Sequence, residues 1–500
     1  MGARNTRAHG NVTRLETGTD DDRHGGSGVT RRRAAVSPPV ALTVAGSDSG
    51  GGAGIQADLK TMEAHGVFGT SVVTAVTAQN TRGVERSHVL PVAEIKAQYR
   101  AVNEDFDLGA VKTGMLATEP VIDLVTDRAA ALDAPVVVDP VMVAASGDRL
   151  LDADAEAAYA DLIGEATLVT PNADEAAVLT GIDPTDRETA REAGEELVGM
   201  GADAALVKGG HVGADDDTVI DTLVVDREGQ ESLGPSAGSA DDEGPTVRTF
   251  EHPRVDTDAT HGSGCTLSSA IAAHLAHGET LEFAVEAGTA FMKRAVRYSL
   301  DVGQGPGAVH HLAALREAAD RHRTMTDVAE VVEAFVDRDV SRLVPEVGMN
   351  VVGATAYAEA VGETAAVEGR ITRTFSGVAP NRGVRLGASS HVARFLLAAR
   401  EFDPDLRFAV NCRFDDETEA ATAALDGPVT EYDRDAEPDD ASGTMGWGAR
   451  QAFGAVDADD PTPAAVLDRG AVGKEAIIKV VGETPEELGE RVFALLDAVE

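Results

Sequence analysis

The sequence predicts an α/β protein: a mostly parallel sheet flanked by helices, followed by a second, smaller α/β domain. Three observations carry this prediction. From Val40 to about residue 315, short β-rich runs alternate with helical patterns, the sequence form of a parallel sheet with crossover helices. Gly-rich and polar clusters stand directly after those runs, where ligands of such sheets bind. Further on, Gly-rich turns at 376–388 and 443–448 and a closing helical pattern near Pro485–Ala498 mark another α/β unit.

Taken in order, residues 1–38 are polar and rich in Gly, Asp and Arg and read as a disordered extension. Val40–Ala45, Ser71–Ala75, Pro135–Asp139, Ala166–Thr170 and Ala204–Lys208 are the strand candidates. Ile55–Ala64, Glu94–Asn103, Pro120–Ala131, Arg187–Met200 and Thr266–His277 carry helical periodicity. Residues 226–246 interrupt the pattern with Gly, Ser, Asp and Glu and read as an acidic surface insertion. The first domain is therefore expected over 39–312, a helical linker over 313–330 and the second domain over 331–500.

Composition narrows the function. The net charge is −42, from 43 basic and 85 acidic residues, which argues against nucleic acid or an anionic membrane as partner. No apolar run approaches the ~20 residues of a membrane helix. A hydrophobic content of 43% is too high for chain-wide disorder, so the acidity reads as adaptation to high salt, where charge repulsion is screened. Lysine usage agrees: there are seven, Lys60, Lys96, Lys112, Lys208, Lys293, Lys474 and Lys479. Two cysteines, Cys265 and Cys412, cannot build a disulfide framework. Arg31–Arg33 precede an apolar stretch, but Pro38-Pro39 breaks it. A cytoplasmic protein is expected.

The most informative segment is Asp258-Ala-Thr-His-Gly-Ser-Gly-Cys265 and the helix it opens. Glycines ahead of a helix free backbone N–H groups to hold an anion, so Gly262, Ser263 and Gly264 form a candidate anion hole for a transferred phosphoryl group. Cys265 then stands at the positive helix end, where a thiol pKa falls and the group can act as a base. The bland alternative is a Gly cap followed by a structural Cys. The turn from Gly46 to Lys60 lacks the Gly-Lys-Ser/Thr ending of a P-loop. Together with Thr77–Thr81, Lys112–Leu116, Val138–Met142, Thr170–Glu175 and Lys208–His211, this order and spacing resembles the hydroxymethylpyrimidine/phosphomethylpyrimidine kinases of the ribokinase superfamily, from about Leu42 to His311.

That resemblance implies a ribokinase-like fold and assigns roles. Gln79 would bond the aminopyrimidine edge, with Gly46, Asp58 and Met115 lining the same pocket. Cys265 would be catalytic. Asn172 and Lys208 would face the nucleotide, ATP, and Asp139 and Glu175 would hold Mg²⁺, a hard cation that takes oxygen ligands. The Asp215–Asp217 region is a candidate lid. Taken singly, each residue has a simpler explanation: Asp58 as a solvated first-turn acid, Asp139 as a turn residue before Pro140, Gln79 as the end of a strand, Lys208 as the partner of a structural carboxylate.

From about residue 326 the chain resembles the archaeal-type thiamine phosphate synthase domain, through Gly348–Val352, Glu368–Ile371, Gly387–Arg394, Asn411–Arg413 and Asp468–Glu475. It departs from that pattern at Ala471, where the family usually has Asp, at Gly446, where Pro often precedes Trp-Gly, and around Arg373–Arg385. The resemblance implies displacement of pyrophosphate from a pyrimidine methylene by a thiazole nitrogen. Arg370 and His391 would be catalytic, with Ser389, Ser390 and Lys474 binding phosphate. Arg370 suits bidentate phosphate binding, and the Gly387–His391 turn precedes a helix, another anion-binding position. The expected partners are small molecules: the hydroxymethylpyrimidine and its phosphates, thiazole phosphate and ATP. A homo-oligomer is expected. The alternative is a pyridoxal-type kinase joined to a non-catalytic domain that senses thiamine phosphate.

Overall fold

The computed structural model describes residues 36–143, 150, 151, 153–210, 217–226, 245–438, 444–457, 460–471 and 474–499. The expected N-terminal extension up to residue 35, most of the acidic insertion, His211 and the lid candidate up to residue 216 lie outside these residues.

Nine strands form the first sheet, in the order β3-β2-β1-β4-β5-β6-β7-β8-β9. They are β1 (Val40–Ser47), β2 (Phe68–Asn80), β3 (Gly83–Val89), β4 (Leu108–Thr113), β5 (Val136–Val138), β6 (Leu168–Val169), β7 (Ala204–Val207), β8 (Thr218–Val225) and β9 (Thr246–Pro253). Pairing is parallel from β2 to β7 and antiparallel at both edges. Strand β1 is buried along Ala41–Gly46, as a central parallel strand covered on both faces must be. The chain leaves β1 toward β2 on one side and β4 on the other, so the crevice of a switched strand order opens beyond its carboxyl end. The turns after β1, β5, β6 and β7 share that edge. Strands β3, β4, β8 and β9 were not foreseen; β3 and β9 are edge or near-edge strands with mostly polar residues and no apolar run to reveal them.

Helix Ser263–Ala276 is buried from Thr266 to Ala273 and again at Leu275. Its cap, Gly262, has φ 83°, and a Cβ there would lie 1.9 Å from Gly52 O. Only glycine fits this close approach.

Seven strands form the second sheet, in the order β14-β11-β10-β15-β18-β17-β16, with a separate β12-β13 hairpin. The ranges are β10 (Val351–Ala354), β11 (Thr364–Val367), β12 (Ile371–Thr374), β13 (Gly377–Pro380), β14 (Val384–Leu386), β15 (Phe408–Arg413), β16 (Val429–Glu431), β17 (Ala465–Asp468) and β18 (Ile477–Gly482). Unlike the first sheet it is antiparallel except at β16-β17. Helices Ala313–Asp337 and Pro485–Ala498 pack on one face through Val328, Phe335, Leu488 and Val492. Helices His391–Ala399 and Thr444–Gly454 cover the other through Phe395, Leu396 and Phe453.

The stretch expected as a linker, 313–330, is thus most of a long helix, Ala313–Asp337, which joins this core from Val328 onward. Its Asp320 also accepts from Arg407 at 2.7 Å. Ahead of it, helix Leu281–Arg297 meets the segment after β10: Arg294 donates to Glu363 at 2.9 Å and to Tyr357 O at 2.5 Å. Tyr298 donates to the same carbonyl at 3.0 Å, and the Tyr298 and His310 rings stand 5.1 and 5.5 Å from the Tyr357 ring.

Candidate active sites

Beyond the first sheet, an open cleft of about 260 Å³ is lined by Asn172, Lys208, Arg254, Ser263, Gly264 and Lys293, among others. Asn172 caps helix Ala173–Thr180: its side chain accepts from Glu175 N at 2.8 Å while Glu175 Oε2 accepts from Asn172 N at 2.9 Å. That capping box holds Glu175 beside Lys208, whose Nζ lies 3.9 Å from Glu175 and 3.1 Å from Asp139. Asp139 also accepts from Thr170 at 3.2 Å and Ser268 at 3.4 Å. Burial would raise the Asp139 carboxyl, but the charges of Lys208 and Lys112 outweigh it and hold it below its ordinary value. Burial pushes Glu175 up to about 7, with the Asp139 charge adding to it against Lys208. Two carboxylates beside one ammonium, at 1% and 6% exposure, are hard oxygen donors at the mouth of the Cys265 helix. This donor set suits a Mg²⁺ that keeps several waters and takes its other ligands from a nucleotide.

Cys265 lies three residues past Gly262, in the first turn of its helix. The Ser263 amide donates to Thr260 O at 3.0 Å, so the cradle at this helix end rests on its neighbours rather than on Ser263 N–H. The expectation of a lowered thiol pKa is corrected. Burial pushes the Cys265 thiol up to about 11, and the nearby Lys112 charge recovers only part of that. The helix end is there, but crowding outweighs it.

Asp58 also departs from its expected place. It is 0% exposed, and its carboxylate accepts from Thr43 at 2.6 Å, Ser269 at 2.7 Å and Lys112 at 2.8 Å. It therefore does not meet solvent in this structure. It ties β1, β4 and the Cys265 helix together from beneath. Burial would lower Lys112, but Asp58 outweighs it and keeps the ammonium above its ordinary range.

Gly46 and Met115 do meet: a Cβ on Gly46 would stand 2.9 Å from the Met115 sulfur. Gln79 lies across the turn, its backbone N donating to Ser49 Oγ at 2.8 Å. The sequence reading gave no role to His261 or Asp48, which are 3.1 Å apart, or to Arg254, Asp221 and Lys293 of the cleft wall. His261 and Asp48 stand inside the motifs already singled out, so the signal was present. The cleft wall comes from strands and a helix whose local patterns carry no chemical mark.

On the second sheet, Arg370 is exposed, follows Gly369 (φ 80°) and itself has φ 71°. A left-handed non-glycine residue is uncommon and strained. Its guanidinium donates to Val347 O. On the other side of that loop, Glu475 accepts from Glu346 N at 2.6 Å and Val347 N at 3.0 Å. Lys474 is the neighbour of Glu475, in a turn closed by paired bonds with Ala471 at 2.8 and 3.1 Å. One loop, 345–348, therefore brings Arg370 and the Lys474 turn to the same edge. Beneath it Asn350 N donates to Asn411 at 2.7 Å, and Asn411 donates to Gly348 O at 3.0 Å. Gly387, which opens the Ser389–His391 turn, instead donates to Thr364 O at 2.9 Å, at the other end of β11. His391 and Ser390 are exposed and 3.3 Å apart, and the helix they open has no side-chain cap.

A buried group that the sequence reading missed lies between β17, β18 and the covering helices. Asp468 accepts from Arg434 at 2.5 and 2.6 Å, Tyr432 at 2.5 Å and Lys479 at 3.0 Å. Lys479 also stands 5.2 Å from the Phe395 ring. Asp468 opens a motif already singled out, but no local pattern marks Arg434, Tyr432 or Lys479 as its partners.

Comparisons with known proteins give a family match for each half of the chain. Residues 48–310 match the phosphomethylpyrimidine kinase family, and residues 327–493 match the family of the thiamine-phosphate synthase ThiN. The chain is 44% identical over 283 residues to a hydroxymethylpyrimidine/phosphomethylpyrimidine kinase of Streptomyces coelicolor, covering 56% of this chain and 97% of that one. It is 42% identical over 292 residues to the thiamine biosynthesis bifunctional protein ThiED of Geobacter sulfurreducens, covering 58% and 56% of the two chains. A pyridoxal kinase of Bacillus subtilis solved with ADP is 30% identical, with a TM-score of 0.48 over 56% of this chain and 99% of that one.

Proposed function

Because the chain belongs to the phosphomethylpyrimidine kinase family through residues 48–310 and carries a thiamine-phosphate synthase region in residues 327–493, we propose that it makes thiamine phosphate in two stages. The first half phosphorylates a hydroxymethylpyrimidine and then its monophosphate with ATP. The second joins the resulting pyrimidine pyrophosphate to thiazole phosphate. The observation that carries this reading is Cys265 at the mouth of its helix, with Lys208, Asp139 and Glu175 beyond β5–β7 and Gln79 and Met115 beside the turn that leaves β1.

In the first stage the substrate hydroxyl oxygen bonds to the γ-phosphorus as the bond to the β-phosphate oxygen breaks and ADP leaves. Backbone amides of Gly262, Gly264 and Cys265 hold the transferred group, and Lys208 faces the phosphates. The Cys265 sulfur takes the hydroxyl proton. Mg²⁺, held by Asp139 and Glu175, would neutralise phosphate charge. Positioning and charge stabilisation do most of the work in such a reaction.

In the second stage the pyrophosphate departs from an electron-rich aminopyrimidine, which stabilises the positive charge left behind. Arg370 and Lys474 suit the anionic groups at one sheet edge. His391, at an uncapped helix start, suits a second phosphate or a proton relay. The strained backbone at Arg370 supports a functional role.

The test supplies hydroxymethylpyrimidine, ATP, Mg²⁺ and thiazole phosphate at high salt and measures thiamine phosphate; none formed would refute the two-stage reading. His391→Ala is expected to lower synthesis from supplied pyrimidine pyrophosphate by about 10²–10³ while leaving ADP release by the first half unchanged.

The charge of −42 supports a halophilic, cytoplasmic setting; both cysteines are free, and among the described residues no helix is long and apolar enough to cross a membrane. Raising KCl from about 0.1 to about 3 M should then raise the melting temperature, since screening removes self-repulsion. A fall across that range, read by scanning fluorimetry, would count against the halophilic reading.

A further inference from the structure

Asp48 follows β1 and is 3% exposed. Its Oδ1 accepts from Gly50 N at 2.7 Å, and its Oδ2 from Gly52 N at 3.0 Å and Ala53 N at 2.8 Å. Oδ2 also lies 3.1 Å from His261 Nε2. The same imidazole nitrogen stands 3.4 Å from the Gln79 side-chain nitrogen. On the far side of Gln79, its side-chain oxygen is 3.1 Å from Thr77 Oγ1, which is itself 3.0 Å from Ser47 O. Burial would raise the Asp48 carboxyl, but the bonds from His261, Ala53 and Gly50 outweigh it and hold it ionised.

The hydrogens along this chain fix its direction. A carboxylate only accepts, so the His261 nitrogen that faces it carries the hydrogen. That nitrogen cannot then accept from the Gln79 NH₂ group. At the other end Thr77 has one hydrogen for two acceptors, Ser47 O and the Gln79 oxygen. Turning the Gln79 amide by 180°, which moves no other heavy atom, removes the meeting of two donors at His261 and leaves Thr77 a single acceptor. Thr77 then donates to Ser47 O and accepts from Gln79, while the one His261 hydrogen, aimed at Asp48, is shared with the Gln79 oxygen as a three-centre bond. Gln79 keeps one N–H and one oxygen lone pair, side by side, for a ligand.

We propose that His261, held by Asp48, is a positioning residue that fixes the Gln79 amide, and that the fixed amide selects a ring with an amino group beside a ring nitrogen over one with a carbonyl there. The inference rests on the placement of Gln79 in the pyrimidine pocket. An aminopyrimidine edge offers a donor and an acceptor that match such an amide, as glutamine matches adenine. An oxo ring offers the reverse order and meets donor with donor. Freed from His261, the amide can turn to suit either ring, and the selection is lost.

The test measures kcat and KM for 4-amino-5-hydroxymethyl-2-methylpyrimidine and its 4-oxo analogue. The unmodified chain should prefer the amino ring by about tenfold to hundredfold in kcat/KM. His261→Ala should bring that ratio close to one, chiefly through a lowered KM for the oxo ring. His261→Gln, which keeps an N–H donor, should restore part of the ratio. Equal losses for both rings with the ratio intact would assign His261 a purely structural role and overturn the proposal. If His261→Ala does not fold, Asp48→Asn serves: it keeps an acceptor for Gly50 N but removes the demand for a hydrogen on His261. A full ratio in that variant would overturn the proposal equally. An unmodified chain that phosphorylates neither ring would instead refute the kinase assignment, and the role of His261 with it.

Discussion

Cys265→Ala is expected to slow phosphorylation of the pyrimidine alcohol by about 10²–10⁴, the range a positioned proton acceptor supplies. Synthesis of thiamine phosphate from supplied pyrimidine pyrophosphate should continue at its ordinary rate, because Cys265 belongs to the first sheet and Arg370, His391 and Lys474 to the second. The pH dependence sharpens the test. With the thiol pushed up to about 11 in the ligand-free chain, the ionised fraction is small at neutral pH and grows as pH rises. Since kcat/KM reports groups of the free enzyme, it should climb with pH across the range below that value and lose the climb in Cys265→Ala. A flat profile in the unmodified chain would remove the sulfur as proton acceptor, and full kinase activity in the alanine variant would remove it from the chemistry altogether.

Asp468→Asn is expected to be the most destabilising single change in the second half. Asp468 is 0% exposed and accepts from Arg434, Tyr432 and Lys479. Removing its charge leaves two buried cations facing each other. Breaking a buried ion pair in this way costs about 3–5 kcal/mol, even where its net contribution over apolar packing is small. Burial would raise the Asp468 carboxyl, but Arg434, Lys479 and Tyr432 outweigh it and hold it well below its ordinary range. A depressed carboxyl contributes stability that is fully present above its unfolded value near 4 and is lost as pH falls below it. The gap between the two chains should thus be widest at neutral pH and shrink toward about pH 3. The chain has one tryptophan, Trp447, whose ring stands 5.8 Å from Tyr432. Its fluorescence during urea unfolding reports this region directly. Equal midpoints at pH 7 would show that the group contributes nothing to stability.

How much of this was legible in the residues differs between the halves. Central strands β1, β5, β6 and β7 are buried, so their apolar runs are continuous and easy to read, and the Gly-rich turns at their ends are local features, whereas β4, with Gly109 and Lys112 in its short run, was passed over. Asp58 was misplaced because a first-turn helical acid looks alike whether it meets water or a buried lysine; only the register of β1 against β4, Thr43 opposite Lys112, brings its partners together. The thiol of Cys265 was misjudged because helix position is visible in sequence and crowding is not. In the second half the antiparallel pairing sends Arg370 and Gly387 to opposite ends of β11, although both flank the same short stretch of chain. Such separation depends on strand direction, which the spacing of motifs does not encode.

Helix Leu281–Arg297 has two sides in use. Met292, Lys293 and Val296 line the cleft of the first half, while Arg294, with Tyr298 just beyond, grips Tyr357 and Glu363. A chain cut near residue 312 would leave Tyr298 and His310 without the ring that covers them and Glu363 without its guanidinium. The severed kinase half would then carry a newly wetted aromatic patch at the end of the very helix that lines its cleft, so gene halves expressed apart are expected to need each other for full solubility.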